Sequence, residues 1–238
     1  MNNRVEIILQ HGWAFDRSCW RGWLPHLKEN ADWELHIQTP DRGYFGEARE
    51  VLPFTADESI KVVVAHSLGL HLLPEEVLSK AHLLVLAGSF AHFHDGEPLQ
   101  QKRSRRTINM MLNKLSESPL DVISEFYSNC YHPLLTSQML LMRDIQTVNS
   151  EVLIKDLEFL NSNRFDSSVI IDKQKVLFVH GNEDIIVPLA HSQELSKSLK
   201  NSSLVVFEGA GHSLPLTHVA PVWIAMRNSL RRLLTVNA

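Results

Sequence analysis

The sequence predicts an α/β fold, a mostly parallel sheet with helices on both faces. Short continuous apolar segments rich in β-branched residues alternate with segments of helical periodicity, a pattern typical of strands buried on both faces. A strand, a tight turn and a helix are indicated around Ser67, within Val62-Val63-Val64-Ala65-His66-Ser67-Leu68-Gly69. Six of the ten glycines lie just beyond predicted strand ends: Gly12, Gly69, Gly88, Gly181, Gly209 and Gly211. Ligands bind at that end of the strands in open α/β sheets.

Length and composition set the broad class of protein. The 238 residues, 44% of them hydrophobic, are enough for one domain with an insertion. The net charge of −4 argues against non-specific nucleic-acid binding, and no apolar run approaches the ~20 residues of a membrane span. Cys19 and Cys130 suggest no disulfide framework, and the N-terminus lacks a signal-peptide pattern. We therefore expect a cytoplasmic protein that does not contact membranes.

The individual elements follow from local patterns. Strands are predicted at residues 5–9, 33–38, 61–65, 83–87, 176–179 and 204–207. Asp16 can cap a helix in which Trp20, Trp23, Leu24 and Leu27 recur at helical spacing. Pro74 should kink or end the helix that follows Ser67. The last helix carries Trp223, Met226, Leu230 and Leu233 on one face.

Residues 93–172 interrupt this alternation, because they contain no convincing strand. Helical stripes are indicated at 108–115, 122–127, 139–145 and 152–160. We interpret residues 93–172 as an all-helical lid over the carboxyl edge of the sheet, and residues 1–92 and 173–238 as the core. The alternative is that these helices only add packing, but an insertion directly after a strand of the site favours a lid that shapes a substrate pocket.

Three residues in this order suggest nucleophilic catalysis. A serine hydroxyl needs a base to take its proton, and the base needs an orienting acid. Ser67 follows the third predicted strand, Asp184 the fifth and His212 the sixth. Each residue alone would be read as an ordinary turn residue, but the three together predict a catalytic triad. The other candidates for the acid are Glu183, Asp166 and Asp172.

An acyl-transfer site also needs donors for an oxyanion. The backbone N–H of Leu68, directly after the serine, is one candidate. The other is the N–H of Trp13 in His11-Gly12-Trp13, which follows the first strand. The Trp13 side chain can equally be a core aromatic at a strand end.

Together these motifs resemble the α/β-hydrolase family over essentially the whole chain, and within it the pimeloyl-acyl-carrier-protein methyl ester esterases of the biotin pathway. Ala65 replaces the first glycine of the usual Gly-x-Ser-x-Gly motif, and the loop from Asp41 to Gly46 matches its family counterpart only loosely. The resemblance implies an α/β-hydrolase fold and a serine carboxylesterase that acts on this methyl ester without a cofactor. Substrate contacts are then expected from Trp13, Met111, Phe126 and Tyr127.

The predicted lid carries a basic cluster on a net acidic protein: Lys102, Arg103, Arg105 and Arg106. Such a cluster can be a solvated helix face. The alternative is a docking surface for an acidic partner, and the resemblance favours acyl carrier protein as that partner. We expect the esterase itself to be a monomer.

Several other functions remain open on the sequence alone. The same triad would serve a small-molecule esterase or thioesterase, or a lyase of the menaquinone pathway, and the fold could also be a non-catalytic module for a hydrophobic ligand. His92, His94 and Asp95 could suggest a metal site, but no further cluster completes it, and the expected chemistry needs no metal.

Overall fold

Six strands form a parallel sheet in the computed structural model, which describes residues 4–28, 33–134 and 147–236. The strands are β1 (Arg4–Gln10), β2 (Glu34–Gln38), β3 (Ile60–His66), β4 (Leu83–Ala87), β5 (Lys175–Gly181) and β6 (Ser202–Phe207). Their spatial order is β2-β1-β3-β4-β5-β6, and each neighbouring pair is parallel. All six carboxyl ends therefore lie at one edge of the sheet.

Helices cover both faces of this sheet. In the described residues they are α1 (Trp23–Lys28), α2 (Gly69–Leu72), α3 (Glu75–Lys80), α4 (Pro98–Leu115), α5 (Pro119–Tyr131), α6 (Ser150–Ser162), α7 (Leu189–Lys197), α8 (Leu214–Thr217) and α9 (Val219–Val236). Successive strand residues point to opposite faces. Val64 of β3 packs in one apolar cluster with Trp223 of α9, and Val63 packs in a second with Leu195 of α7.

The predicted sheet with helices on both faces is confirmed, with adjustments at element ends. Asp16 caps a short 3-10 helix (Arg17–Trp20), accepting the N–H of Ser18 at 2.7 Å, and α1 begins only at Trp23. Proline ends the helix after the serine turn as expected, because Pro74 falls between α2 and α3.

Helices α4, α5 and α6 lie between β4 and β5, in the segment for which we expected helices. In the described part of residues 93–172 there is no β-strand. The predicted stripes at 108–115, 122–127 and 152–160 fall in these three helices, and α4 packs against the other two. The fourth predicted stripe, at 139–145, lies outside the described residues.

A buried carboxylate fastens α6 to the loop after β2. Asp156 accepts hydrogen bonds from Nε of Arg42 at 2.8 Å and from the Tyr44 hydroxyl at 2.6 Å. Both donors belong to the turn-rich loop predicted between Asp41 and Gly46. Because Asp156 is only 2% exposed, losing either partner would leave part of a buried charge uncompensated.

In the described part of the chain, no helix is both long enough and apolar enough to cross a membrane.

Candidate active site

Ser67 lies on the turn between β3 and α2, in a backbone conformation that is rare for residues with a Cβ. Its φ is +54°, and such conformations cost about 1–2 kcal/mol. The N–H of Ser67 donates to the carbonyl oxygen of Ala87 at 2.8 Å. A Cβ on Gly69 would lie 2.7 Å from the carbonyl oxygen of His11. Neighbouring strand ends therefore hold the strained turn from both sides.

The chain after β1 passes directly beside this turn. A Cβ on Gly12 would lie 2.9 Å from the carbonyl oxygen of His66 and 3.0 Å from Cβ of Ser67. The backbone N–H groups of Trp13 and Leu68 donate to no acceptor within the described residues. Both donors therefore remain available for a negatively charged oxygen beside Ser67, where they would stabilise a tetrahedral intermediate.

Asp184, after β5, and His212, after β6, form a buried hydrogen-bonded pair. Oδ2 of Asp184 accepts from Nδ1 of His212 at 2.7 Å, and Oδ1 accepts the N–H groups of Ile186 and Val187 at 2.9 and 2.8 Å. Burial alone would raise the pKa of Asp184, but the electrostatic interaction with His212 and the hydrogen bonds from His180 and His212 hold it below its usual value. The carboxylate is therefore ionised and keeps the proton of His212 on Nδ1.

The other ring nitrogen of His212 is left for a reaction partner. Nε2 is buried and has no hydrogen-bond partner among the residues that the structure describes. His66, which precedes Ser67, lies with its ring 4.8 Å from that of His212, and its Nε2 donates to the carbonyl oxygen of His212 at 2.9 Å. Burial lowers the pKa of His66 to about 3, so this imidazole is neutral.

A second histidine, which is not among the residues predicted for the site, reaches Asp184. Nε2 of His180 lies 2.8 Å from the carbonyl oxygen of Val187 and 3.3 Å from Oδ2 of Asp184, and Nδ1 lies 2.7 Å from Oγ of Ser192. Because both groups that face Nε2 are acceptors, Nε2 carries a proton. The available signal was a histidine at the end of a strand, four residues before the acid.

Ser67 opens into a cavity of about 620 Å³ between the core and the inserted helices. Trp13, Met111 and Phe126, three of the residues predicted to contact substrate, line it together with Ile108, Leu157, Leu160 and Ile186. Tyr127 is not among the lining residues within the described ranges. Its hydroxyl donates instead to the carbonyl oxygen of Ala14 at 2.5 Å. Polar side chains, among them Asp95, Gln100, Asn129, His191 and Glu194, also line the cavity, but most of its surface is apolar.

The four residues of the basic cluster have different positions on α4. Arg103 lines the cavity, whereas Lys102, Arg105 and Arg106 are exposed outside it. Arg105 also donates to the carbonyl oxygen of Asn161 at 3.4 Å. In the residues that are described, none of the four cations forms an ion pair with an acidic side chain.

The other candidate carboxylates lie elsewhere. Glu183 is exposed, Asp166 caps a short 3-10 helix (Ser167–Val169), and Asp172 forms a surface ion pair with Lys200. Within the described ranges none of the three forms a hydrogen bond or an ion pair with His212.

The histidines that we considered for a metal have protein partners. His94 is hydrogen-bonded to Ser104 and Asn161, and His92 faces Asp95 at 3.3 Å. In residues 4–28, 33–134 and 147–236, no group of three or more His, Cys, Asp or Glu side chains is arranged to hold a metal ion.

Comparisons with known proteins extend along the chain. A family model described as Abhydrolase_4, TAP-like protein, matches residues 156–222. Two relatives are named pimeloyl-[acyl-carrier protein] methyl ester esterase. The one from Aromatoleum aromaticum is 23% identical and aligns over 91% of this chain and 94% of its own. The one from Neisseria meningitidis serogroup C is 26% identical over 90% and 88%. Among solved structures, a thermophilic esterase from Thermogutta terrifontis superposes with a TM-score of 0.69 at 21% identity, covering 96% of this chain and 90% of that one.

Proposed function

Because the chain has the α/β-hydrolase fold, we propose that it is a serine carboxylesterase with Ser67 as nucleophile, His212 as base and Asp184 as orienting acid. The observation that carries the proposal is the state of the His212 ring. Nδ1 is bound to an ionised, buried carboxylate at 2.7 Å, while Nε2 is buried without a partner in the described residues. A histidine held in this way is prepared to take a proton from a serine hydroxyl.

The reaction proceeds in two halves. Oγ of Ser67 attacks the ester carbonyl carbon while its proton moves to Nε2 of His212, and Asp184 stabilises the resulting imidazolium. The N–H groups of Trp13 and Leu68 hold the oxyanion. His212 then protonates the leaving alcohol oxygen, which leaves an acyl-enzyme. Water attacks this ester, with His212 again as base, and the carboxylic acid and free Ser67 are formed.

The cavity supports an extended apolar acyl group as substrate. We propose that the inserted helices act as a lid, since α4, α5 and α6 all contribute lining residues: Ile108, Met111, Phe126, Leu157 and Leu160. A volume of about 620 Å³ is within the usual range for ligand pockets. A carbon chain of several methylene groups can be buried there while its ester carbonyl lies at Ser67.

We propose the methyl ester of pimeloyl-acyl carrier protein as the substrate, because two relatives are named as esterases of this compound. The surface of α4 fits an acidic carrier of this kind. Lys102, Arg105 and Arg106 are exposed outside the cavity, and Arg103 lies on its lining, so a carrier docked on this helix could pass its arm toward Ser67. We propose that the enzyme works as a cytoplasmic monomer with this carrier-linked substrate.

The deciding experiment incubates the purified protein with the methyl ester of pimeloyl-acyl carrier protein and follows loss of the methyl group by mass. Ser67→Ala is measured in parallel. Demethylation that depends on Ser67 supports both the triad and the substrate. Cleavage of p-nitrophenyl acetate alone would keep the esterase and remove the carrier-linked substrate. If the protein cleaves neither of these two esters, the proposed function is wrong.

Docking is tested by reversing charge on α4. Replacing Lys102, Arg105 and Arg106, the three cations outside the cavity, by Glu should raise KM for the carrier-linked ester at least 10-fold and leave KM for p-nitrophenyl acetate within about 2-fold. The matched control reverses Lys80, Lys173 and Lys175, near the amino ends of β4 and β5, and should change neither KM. Equal effects of the two triple variants would remove the docking surface from the proposal.

A further inference from the structure

We propose that Tyr127 is a positioning residue for the oxyanion site. Its hydroxyl, on α5, holds the turn that presents the N–H of Trp13 beside Ser67. The inference rests on the proposed esterase function, because it assigns a role in that same reaction.

The turn in question needs an external restraint. The N–H of Phe15 donates to the carbonyl oxygen of Gly12 at 3.3 Å, which closes a four-residue turn with Trp13 and Ala14 in the middle. Ala14 has φ +53°. A positive φ at the third position of a turn normally requires glycine. Alanine is strained there, so the turn is not the preferred conformation of its own sequence.

Tyr127 supplies a restraint at the strained residue. Its hydroxyl donates to the carbonyl oxygen of Ala14 at 2.5 Å, and the residue is only 8% exposed. Burial raises the pKa of the phenol, so the hydroxyl keeps its proton and remains a donor. The ring is also fixed, because it packs against Phe15 with centroids 5.4 Å apart.

Trp13 has a second attachment to the same insertion. Its indole Nε1 donates to the carbonyl oxygen of Leu153 in α6 at 2.9 Å. On its other side, Gly12 lies so near the serine turn that a Cβ at this position would be only 3.0 Å from Cβ of Ser67. The segment that carries the proposed donor, the N–H of Trp13, is therefore held by two hydrogen bonds to the inserted helices and lies against the turn that carries Ser67. Small displacements of such groups have large effects on rate.

The test removes one oxygen atom. Tyr127→Phe should lower kcat for p-nitrophenyl acetate about 10-fold. Complete loss of an oxyanion donor lowers kcat by ~10²–10³-fold, and in this variant the donor is only held less firmly. KM should stay within about 2-fold, because the hydroxyl does not line the cavity. Hydrogen exchange of the amides at residues 11–15 should become faster in the variant.

Tyr44→Phe is the matched control. It also removes a buried hydroxyl that joins the core to the insertion, in this case to Asp156, but that hydroxyl makes no hydrogen bond to the described residues of the turn. The ring of residue 44, which contacts His11, is kept. Its kcat and its exchange at residues 11–15 should equal those of the wild type. An unchanged kcat in Tyr127→Phe, or an equal loss in Tyr44→Phe, would overturn the role of Tyr127.

The two proposals can fail separately. If the wild type cleaves esters through Ser67 and Tyr127→Phe is unaffected, only the positioning role is wrong. If the wild type cleaves no ester, the esterase proposal fails, and unchanged exchange at residues 11–15 in Tyr127→Phe would independently overturn the restraint on the turn.

Discussion

Nε2 of His180 lies 3.3 Å from Oδ2 of Asp184, the same oxygen that accepts Nδ1 of His212. The other carboxylate oxygen accepts two backbone N–H groups. Donors therefore occupy both oxygens of Asp184. The carboxylate cannot rotate without breaking several hydrogen bonds at once, so contacts within the protein fix the orientation of His212.

Asp184→Asn should lower kcat about 10³–10⁴-fold. The amide oxygen must take the Oδ1 position, where the N–H groups of Ile186 and Val187 donate. The amide NH₂ then faces His212, whose proton moves from Nδ1 to Nε2, so the ring can no longer accept from Ser67. Steady-state cleavage of p-nitrophenyl acetate measures the loss, and circular dichroism checks folding. Glu183→Gln, which changes an exposed neighbour, should keep full activity. A similar loss in both variants would contradict this role for Asp184.

Gly12→Ala should lower kcat at least 100-fold. The added methyl group would lie 2.9 Å from the carbonyl oxygen of His66 and 3.0 Å from Cβ of Ser67, so the turn that carries Trp13 must move away from the nucleophile. Gly46→Ala is the control, because a Cβ at that position meets nothing within 4 Å. The same ester assay compares the two. A fully active Gly12→Ala would show that this close approach is not needed for catalysis.

Asp156→Asn should lower the free energy of unfolding by about 3 kcal/mol. The variant weakens the hydrogen bonds from Arg42 and Tyr44 and leaves the partly buried guanidinium without its carboxylate. Urea unfolding gives the difference. In contrast, Glu76→Gln breaks an exposed ion pair with Lys80 and should leave the unfolding midpoint unchanged. Equal stability of Asp156→Asn and the wild type would mean that α6 is held by other contacts.

Glu6 should make the free energy of unfolding depend on pH in the acidic range. Its carboxylate accepts from Thr55, Ala56 and Ser59. Burial alone would raise the pKa of Glu6, but these hydrogen bonds lower it from 4.5 to about 2. Because the pKa is depressed in the folded protein, the contribution is complete above pH 4.5 and is lost as the pH falls toward 2. The ionised carboxylate of Glu6 contributes about 3 kcal/mol to the free energy of unfolding.

Glu6→Gln isolates this contribution from the buried histidines, which titrate in both proteins. The difference in unfolding free energy between wild type and variant should be constant above pH 5 and shrink between pH 4.5 and 2.5, as followed by urea unfolding at each pH. A difference that does not change with pH would contradict the depressed pKa.

The sheet and the residues at its edge could be predicted because their signals are local. Apolar segments identified all six strands of the described sheet, five as nearly continuous runs and β2 as the alternating sequence of residues 33–38. The glycines after them identified the edge where Ser67, Asp184 and His212 lie. The α/β-hydrolase resemblance drawn from those motifs is confirmed by the fold. The catalytic roles themselves stay predictions until the variants are measured.

The contacts between core and insertion could not be predicted. Trp13 and Leu153 are 140 positions apart, and Arg42 and Asp156 are 114 apart. Helical periodicity says which face of α6 is buried, but not which distant loop packs against it. For the same reason, Tyr127 was expected to contact substrate. It belongs to the same predicted helical stripe as Phe126, and periodicity does not show which of the two faces the cavity.

The attachments of the insertion are unevenly distributed. Tyr127 lies on α5, and Leu153 and Asp156 lie on α6, whereas α4 takes part in none of these bonds to the core loops. Helix α4 is held instead by its packing against α5 and α6 and by Ser104, which is hydrogen-bonded to His94 in the loop after β4 at 2.7 Å. A shift of α4, the helix on which a carrier is proposed to dock, would break these contacts but neither of the hydrogen bonds that hold Trp13 and Ala14, so the proposed oxyanion donors would keep their restraints.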